Sequence, residues 1–515
     1  MNEIARRSHF DSAVGEISVA SATASGTAVQ HNVRLQYLRA VAAIAVVLYH
    51  ASWYLKDLRG ETRFSAVFGD VFGAGGVAIF FALSGYLMAE IIRRDDWGRF
   101  LIARVARIYP PMLLMVALFS VVLFLAYGRP RGLSVLTLTL VPTGPRGYFL
   151  AVEWTLLFEM TYYVALTALG LLGLVRWGEA FALAWLVAMG FSWVWGSGAA
   201  DIATPTLTEL PLLIINLPFV LGFLSAGLKR RGWLPPGLGV AAMLIAIVIP
   251  LLPADVLRLL SGIAAAMLVA AAIRRPPPIS IGPTGSLLAR FGDASYVLYL
   301  CHVPLFLLIE SKLPQWLPAP LVWLAMVGAA LGLSLLLGPL DVRLHRRMKR
   351  AIDKARDGRL RAWALGYIAV FLAIGSYTEL EVRKDRAEEA QAREIFASPP
   401  TAASLSVRAE IDSVQFGGNR WVVRGYGIDL DRPALATHIA IRQAGNLLAI
   451  DRMRRMRVAT AKELGRSDLE SRRFGFSIFL PTDFSCAKGG LDAVFIFEDG
   501  RAVPIAPGPL ATICR

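Results

Sequence analysis

Apolar runs of close to 20 residues recur along this chain, and no other feature restricts its fold as much. A bilayer core about 30 Å thick is crossed by about 20 helical residues at 1.5 Å each. In lipid every backbone hydrogen bond must be closed within the protein, so repeated runs of this length predict a helical bundle. The runs fall near 36–55, 71–92, 110–127, 149–174, 180–196, 209–228, 238–252, 256–273, 291–311, 319–339 and 361–377, which predicts about eleven transmembrane helices. The stretch LSVLTLTLVP at 133–142 is too short to cross and reads as interfacial or re-entrant. Hydrophobic residues make up 56% of the 515 and charged ones only 18%, which excludes an ordinary soluble domain.

The net charge of +15 raises the question of nucleic acid. Its distribution answers it. Arg93, Arg94, Arg99, Arg104 and Arg107 follow the second run. Lys229, Arg230 and Arg231 follow the sixth, Arg274 and Arg275 the eighth, and Arg343, Arg346, Arg347, Lys349 and Arg350 the tenth. Every cluster follows an even-numbered run, so a cytoplasmic N-terminus puts all four in the cytoplasm. Counting 133–142 as a crossing would put the last three outside. The parity predicts an external C-terminus and accounts for the charge without nucleic acid. Residues 1–33 are polar and Ser/Ala-rich without an apolar h-region, so they read as a disordered cytoplasmic tail and not a signal peptide.

The expected organisation is a membrane domain over 34–345, a cytoplasmic linker and additional span over 346–377, and a charged helical linker over 378–397. From 398 to 515 the pattern becomes short alternating strands such as RWVVRGYGIDL and LDAVFIFED, split by turn signals, and predicts a small all-β, sandwich-like extracytoplasmic domain. Cys301 lies in an apolar run and reads as inert. Cys486 and Cys514 are disulfide partners if that domain faces an oxidising compartment. The six histidines are scattered without ligand spacing, and no metal is expected.

Several ionisable residues fall inside the runs, where they are costly and usually face a polar cavity. Arg39 and His50 are eleven residues apart, so they share a helix face about 16 Å apart along the axis. Each also has a plain reading: Arg39 as a positive-inside flank, His50 as a packed imidazole. Glu159 in WTLLFEMTYY needs a partner or a raised pKa, and an interhelical pair would serve. Glu153 reads as interfacial. His302 sits near mid-bilayer two residues before Pro304, where a hydrogen bond at a helix kink is the bland alternative. Arg104 and Arg107 share a helix face. They suit phosphates through their forked donors, or are ordinary cytoplasmic charge.

Taken in order, Arg39 with His50, FFALSGYLM at Phe80–Met88, RVARIYPP, WTLLFEMTYY and SYVLYLCHVP resemble the acyltransferase-3 family of integral membrane acyltransferases over residues 34–345. The resemblance implies functional roles for Arg39 and His50. It matches family motifs at Phe80, Phe81, Ser84 and Gly85; at Arg104 and Arg107; at Trp154, Thr155 and Glu159; and at Ser295, Tyr296, His302 and Pro304. The chain departs from the family at Gln36 and Met160, where acidic residues are common. It also departs at GPLDVRLHRR, where a Glu-Pro pair is usual. Residues 398–515 lack the Gly-Asp-Ser signature of the hydrolase-like domain that longer members carry, which implies a binding or spacing module.

What the resemblance implies is a bacterial inner-membrane O-acyltransferase. Acyl-CoA, in particular acetyl-CoA, would dock its phosphates on Arg39, Arg104 and Arg107. His50 would be the general base and Glu159 would orient it, with His302 a second candidate base. Ser84, Thr155 or Tyr296 would donate to the oxyanion. Direct transfer and an acyl-His50 intermediate both stay open. The acceptor would be an extracytoplasmic carbohydrate such as lipopolysaccharide or exopolysaccharide, with membrane lipids around the bundle and no nucleic acid. The small residues of span two would let helices approach while Ser84 faces a channel. Packing alone is the alternative for that stretch, and a glycan or lipid-precursor transporter or flippase is the alternative for the whole chain. A sensor anchored by its spans would not need so many.

Overall fold

The computed structural model describes residues 32–128, 133–196, 203–274, 282–397, 407–417, 420–429, 435–469, 471–481, 484–505 and 508–513. The tail 1–31, Arg275 and Cys514 lie outside them. Helix α1, Val33–Arg59, starts where the Asn32 side chain accepts the Arg34 N–H at 3.1 Å. It stops at Gly60, whose φ of +70° is the left-handed conformation that glycine adopts without strain. The bundle continues with α2 (Asp70–Ile91), α3 (Trp97–Tyr127), α4 (Trp154–Leu171), α5 (Gly178–Trp195) and α6 (Leu217–Arg230). It closes with α7 (Leu238–Val248), α8 (Ala254–Arg274), α9 (Pro283–Lys312), α10 (Ala319–Lys354) and α11 (Asp357–Ala397).

Among the described residues nine helices are long and apolar enough to cross a membrane, against the eleven crossings expected. The two shortfalls are α6 and α7. The run expected as one span at 209–228 is broken by 3-10 turns at Leu210–Leu212 and Ile214–Asn216. Pro211 and Pro218 withhold backbone donors there. Asn216 supplies what the irregular backbone lacks. It is fully buried, accepts from the Tyr162 hydroxyl at 2.7 Å and donates to the carbonyls of Leu210 and Leu213 at 2.7 and 2.8 Å. Helix α6 therefore has only 14 residues. The stretch at 133–142 forms one helical turn, Val135–Leu138.

Successive helices reverse direction, so the basic clusters gather at one end. Arg94 and Arg230 share Glu90 at 3.4 and 2.6 Å, and Arg230 and Arg231 hold Glu179 at 2.8 and 2.5 Å. Arg99 donates to the Ile352 carbonyl at 2.7 Å, Arg274 to Leu234 at 3.1 Å, and Arg361 pairs with Asp96 at 2.7 Å. At the opposite end Arg59 and Glu310 form a buried pair at 2.8 Å that ties α1 to α9.

The crossing of α2 and α6 is made of glycine. A Cβ on Gly85 would lie 2.0 Å from the Phe219 carbonyl oxygen, and one on Gly222 would lie 2.1 Å from that of Ala82. Neither position has room for a methyl group, so the glycine of FFALSGYLM serves backbone approach.

Helix α11 starts at the basic end and runs unbroken through the stretch expected as a separate linker at 378–397. Likewise α10 extends to Lys354, so the first part of the expected 346–377 linker is helical. The far end of α11 meets the C-terminal strands: β1 (Val407–Gly417), β2 (Arg420–Asp429), β3 (Ala436–Gln443), β4 (Asn446–Arg452), β5 (Arg455–Met456), β6 (Arg473–Phe479), β7 (Leu491–Phe497) and β8 (Ala502–Ile505). They form two antiparallel four-stranded sheets, ordered β1-β2-β6-β5 and β4-β3-β7-β8. Inward residues such as Ile411, Val423, Ile439, Phe476 and Phe495 fill the space between them. Arg452 joins this domain to Asp385 and Glu388 of α11 at 2.5 and 2.8 Å, and Ile395 and Phe396 pack on Ala440 and Val494. Cys486 is disulfide-bonded, and Cys301 is a buried free thiol.

Candidate active site

Five helices converge on a cavity of about 150 Å³ toward the basic end. Helix α1 contributes Arg39, α2 contributes Phe80, Phe81 and Ser84, and α3 contributes Arg104 and Arg107. Helix α4 adds Thr155, Glu159 and Tyr163, and α9 adds Ser295, Tyr296 and Tyr299. Three guanidinium groups thus face one carboxylate. Arg107 is fixed by Asp341 of α10 at 2.8 Å and lies 5.0 Å from the Tyr296 ring centre. The charges of Arg107, Glu159 and Asp293 all act on Arg39. The Nε of Arg104 is buried without a hydrogen-bond partner, so this fork has capacity to spare. Glu159 accepts from the Tyr163 hydroxyl at 3.1 Å.

The hydroxyls on this wall are not equivalent. Tyr299 donates to the Val152 carbonyl, so Thr155, 2.5 Å from the Tyr299 oxygen, is the donor of that pair. Tyr296 donates to the Ile108 carbonyl at 2.8 Å. The protons of Thr155 and Tyr296 are committed before any substrate arrives.

His50 lines a second cavity, of about 160 Å³, toward the end where the β domain sits. Its walls include Tyr49, Asp70, Trp154, Ile215, Pro218 and Arg258, and Val77 borders both cavities. The imidazole does not stand alone. Nδ1 of His50 lies 3.0 Å from Nε2 of His302 and 3.1 Å from the Val46 carbonyl, while Nδ1 of His302 lies 3.1 Å from the Leu298 carbonyl. Carbonyl oxygens only accept, so both Nδ1 atoms are assigned as protonated. Nε2 of His302 is then a lone pair that receives the His50 Nδ1–H, and Nε2 of His50 is the unprotonated nitrogen. The opposite tautomers would turn lone pairs onto both carbonyls. His302, not Glu159, is the hydrogen-bond partner of His50.

The family model described as an acyltransferase domain matches residues 32–338, well over half of the chain. The chain belongs to the acyltransferase-3 family. It is 32% identical over 188 residues to Nodulation protein 10 of Rhizobium leguminosarum bv. viciae, covering 32% of this chain and 51% of that protein. The match therefore spans about half the length of the curated relative. No solved structure matches the chain.

Within this membrane acyltransferase fold, eight of the nine expected site residues, Arg39, Ser84, Arg104, Arg107, Thr155, Glu159, Tyr296 and His50, line one or other cavity, and the ninth, His302, is held against His50. Sequence reasoning missed Tyr49, Asp70, Arg258, Tyr299 and Asp341. Asp341 was legible in part: it is the acid of GPLDVRLHRR, where the family's usual Glu-Pro pair is absent, and it holds Arg107. Glu153, expected to be interfacial, is buried and accepts the Leu150 N–H at 2.7 Å. No group of His, Cys, Asp and Glu among the described residues is arranged to hold a metal ion.

Proposed function

We propose that this chain transfers an acetyl group from acetyl-CoA to a hydroxyl of an envelope glycan, such as lipopolysaccharide or exopolysaccharide, in a bacterial inner membrane. The basic end is cytoplasmic by the positive-inside rule, and the β domain is periplasmic. The observation that carries this reading is the pair of cavities bordering on Val77, one rich in arginine and one holding His50.

In this reading the CoA phosphates bind Arg39, Arg104 and Arg107, and the acyl thioester reaches toward His50. The acceptor enters from the β-domain end. Nε2 of His50 takes the proton of the sugar hydroxyl as its oxygen attacks the thioester carbonyl. The C–O bond forms, and the carbonyl electrons move onto oxygen. Thr155 and Tyr296 already donate elsewhere, and Ser84 lines the arginine cavity and not the His50 cavity, so the oxyanion is not assigned to any of the three. Collapse breaks the C–S bond, and the leaving thiolate takes the proton back from His50. During the charged interval, the His50 Nδ1–H stays held by Val46 and by the lone pair of His302. His302 is thus a positioning residue, and Glu159 balances the arginine cavity. The family match speaks against the transporter reading.

Thiol release from acetyl-CoA by the purified protein in lipid tests this, wild type beside His50→Ala, with and without extracted envelope glycan. Glycan-dependent release that disappears in the variant is expected. No release with any glycan, from folded protein, overturns the reading.

A further inference from the structure

A polar groove of about 440 Å³ lies where the bundle meets the β domain. Thr143 and Arg146 reach it from the loop before α4, Asp385 from α11, and Thr437, Arg452 and Arg473 from the β domain. Its floor carries unused hydrogen-bonding capacity. Thr143 is 1% exposed, yet its hydroxyl has no partner, and neither has Nε of Arg146. Buried polar atoms are normally paired, so an unpaired hydroxyl and an unpaired guanidinium N–H at one cavity wall point to a ligand that pairs them.

The charge pattern says which ligand. Arg452 is paired with Asp385 at 2.5 Å, and Arg146 with Glu381 at 2.5 Å. A groove lined by free cations alone would select phosphates. Paired charges set donors and acceptors side by side, which suits hydroxyl groups, since each both donates and accepts. Two chain segments run from the wall of the groove to the wall of the His50 cavity. The loop that carries Thr143 and Arg146 ends at Trp154, on the wall of that cavity. Thr143 bridges to Thr206, in the segment that ends at Ile215 and Pro218 on the same wall.

We propose that this groove holds a stretch of the acceptor, a polyhydroxylated saccharide chain, several sugars away from the hydroxyl that reacts. The inference rests on the reading of the chain as a glycan O-acyltransferase and makes the β domain one half of the acceptor site. The test uses the full-length protein in lipid nanodiscs. The probes are long envelope polysaccharide from the producing bacterium and its one- or two-sugar acid fragments. The readout is the ratio of KM for the long chain to KM for the fragments, from acetyl-CoA thiol release. Arg473→Glu is expected to raise this ratio about tenfold and Thr143→Val about fivefold, as for lost charged and neutral hydrogen bonds. An unchanged ratio in both variants overturns the proposal, as does an equal loss on both probes. Direct binding of the long polysaccharide, by calorimetry without acetyl-CoA, separates the two readings. Binding by wild type that Arg473→Glu weakens supports the groove even if no acetyl transfer is found. Absence of binding by folded wild type overturns it.

Discussion

The two cavities of the membrane core border on Val77 and differ in nearly everything else. The one toward the basic end sets Arg39, Arg104 and Arg107 against Glu159. The one toward the β domain has a single carboxylate, Asp70, a single guanidinium, Arg258, and the aromatic faces of Tyr49 and Trp154. Forked cations at fixed positions suit a polyanion, whereas a mixed and aromatic wall suits a sugar. Under the proposed function the difference means that the bundle separates its two recognition problems along the membrane normal, with the His50–His302 pair on the sugar side of that division.

The division makes His50 the residue whose loss should cost most, because it is the imidazole on the wall of the second cavity and its Nε2 is left unprotonated. His50→Ala is expected to lower kcat about 10²–10⁴-fold, with acetyl-CoA affinity retained because the arginine cavity is untouched. Steady-state thiol release together with acetyl-CoA binding by calorimetry measures both quantities. Near-normal turnover from a folded variant would remove His50 from the chemistry and with it the division of labour.

His302 is expected to come next. His302→Phe removes the lone pair that receives the His50 Nδ1–H, which leaves the Val46 carbonyl alone to hold the tautomer and the ring position. A loss in kcat of roughly tenfold or more is expected, with KM for acetyl-CoA unchanged, as for other residues that fix a catalytic imidazole. His302→Gln can present a carbonyl oxygen to the same N–H and should recover part of the loss. Equal loss in both variants would mean that His302 acts by packing alone.

On the donor side the effect should fall in KM. Arg104 has a buried Nε without a partner, so Arg104→Ala removes capacity that only a ligand uses. Its KM for acetyl-CoA is expected to rise about tenfold, the equivalent of one charge-assisted hydrogen bond, with KM for the glycan unchanged. A rise in the glycan KM instead would exchange the assignments of the two cavities.

How far the sequence discloses all this follows the same line. The arginine cavity was legible because its residues sit in motifs whose order is recognisable. The second cavity was not, since Asp70 and Arg258 come from the starts of α2 and α8 and meet only through the packing of α1, α2, α6 and α8. The pairing of His50 with His302 joins residues 252 positions apart, and neither periodicity nor spacing encodes it. Glu159 was the guess by depth, but its carboxylate lines the cavity toward the basic end, across Val77 from His50. The same limit applies to the spans. Mean polarity made 209–228 a single crossing, whereas Asn216 makes a break there by satisfying irregular backbone. The two sheets of the β domain were readable from alternation, but the unbroken α11 beneath them was not, because a charged segment looks like a linker until its carboxylates find Arg452.

Asp70 offers the smallest effect and the finest test of the division. It opens α2 on the wall of the His50 cavity, beside Tyr49, and lies across from the arginine cavity rather than in it. Asp70→Asn keeps the size and one acceptor oxygen, so the bundle should hold. What it removes is the charge that strengthens a hydrogen bond from a sugar hydroxyl, since a bond to an ionised group is roughly twice as strong as a neutral one. The expected result is a KM for the glycan raised about threefold to tenfold, with kcat and the KM for acetyl-CoA unchanged. Paired titrations of glycan and acetyl-CoA on the same preparation measure it. A change confined to acetyl-CoA would place the donor on both sides of Val77. The second cavity would then be the upper end of one donor channel, and the acceptor would have to approach His50 from the β-domain groove alone.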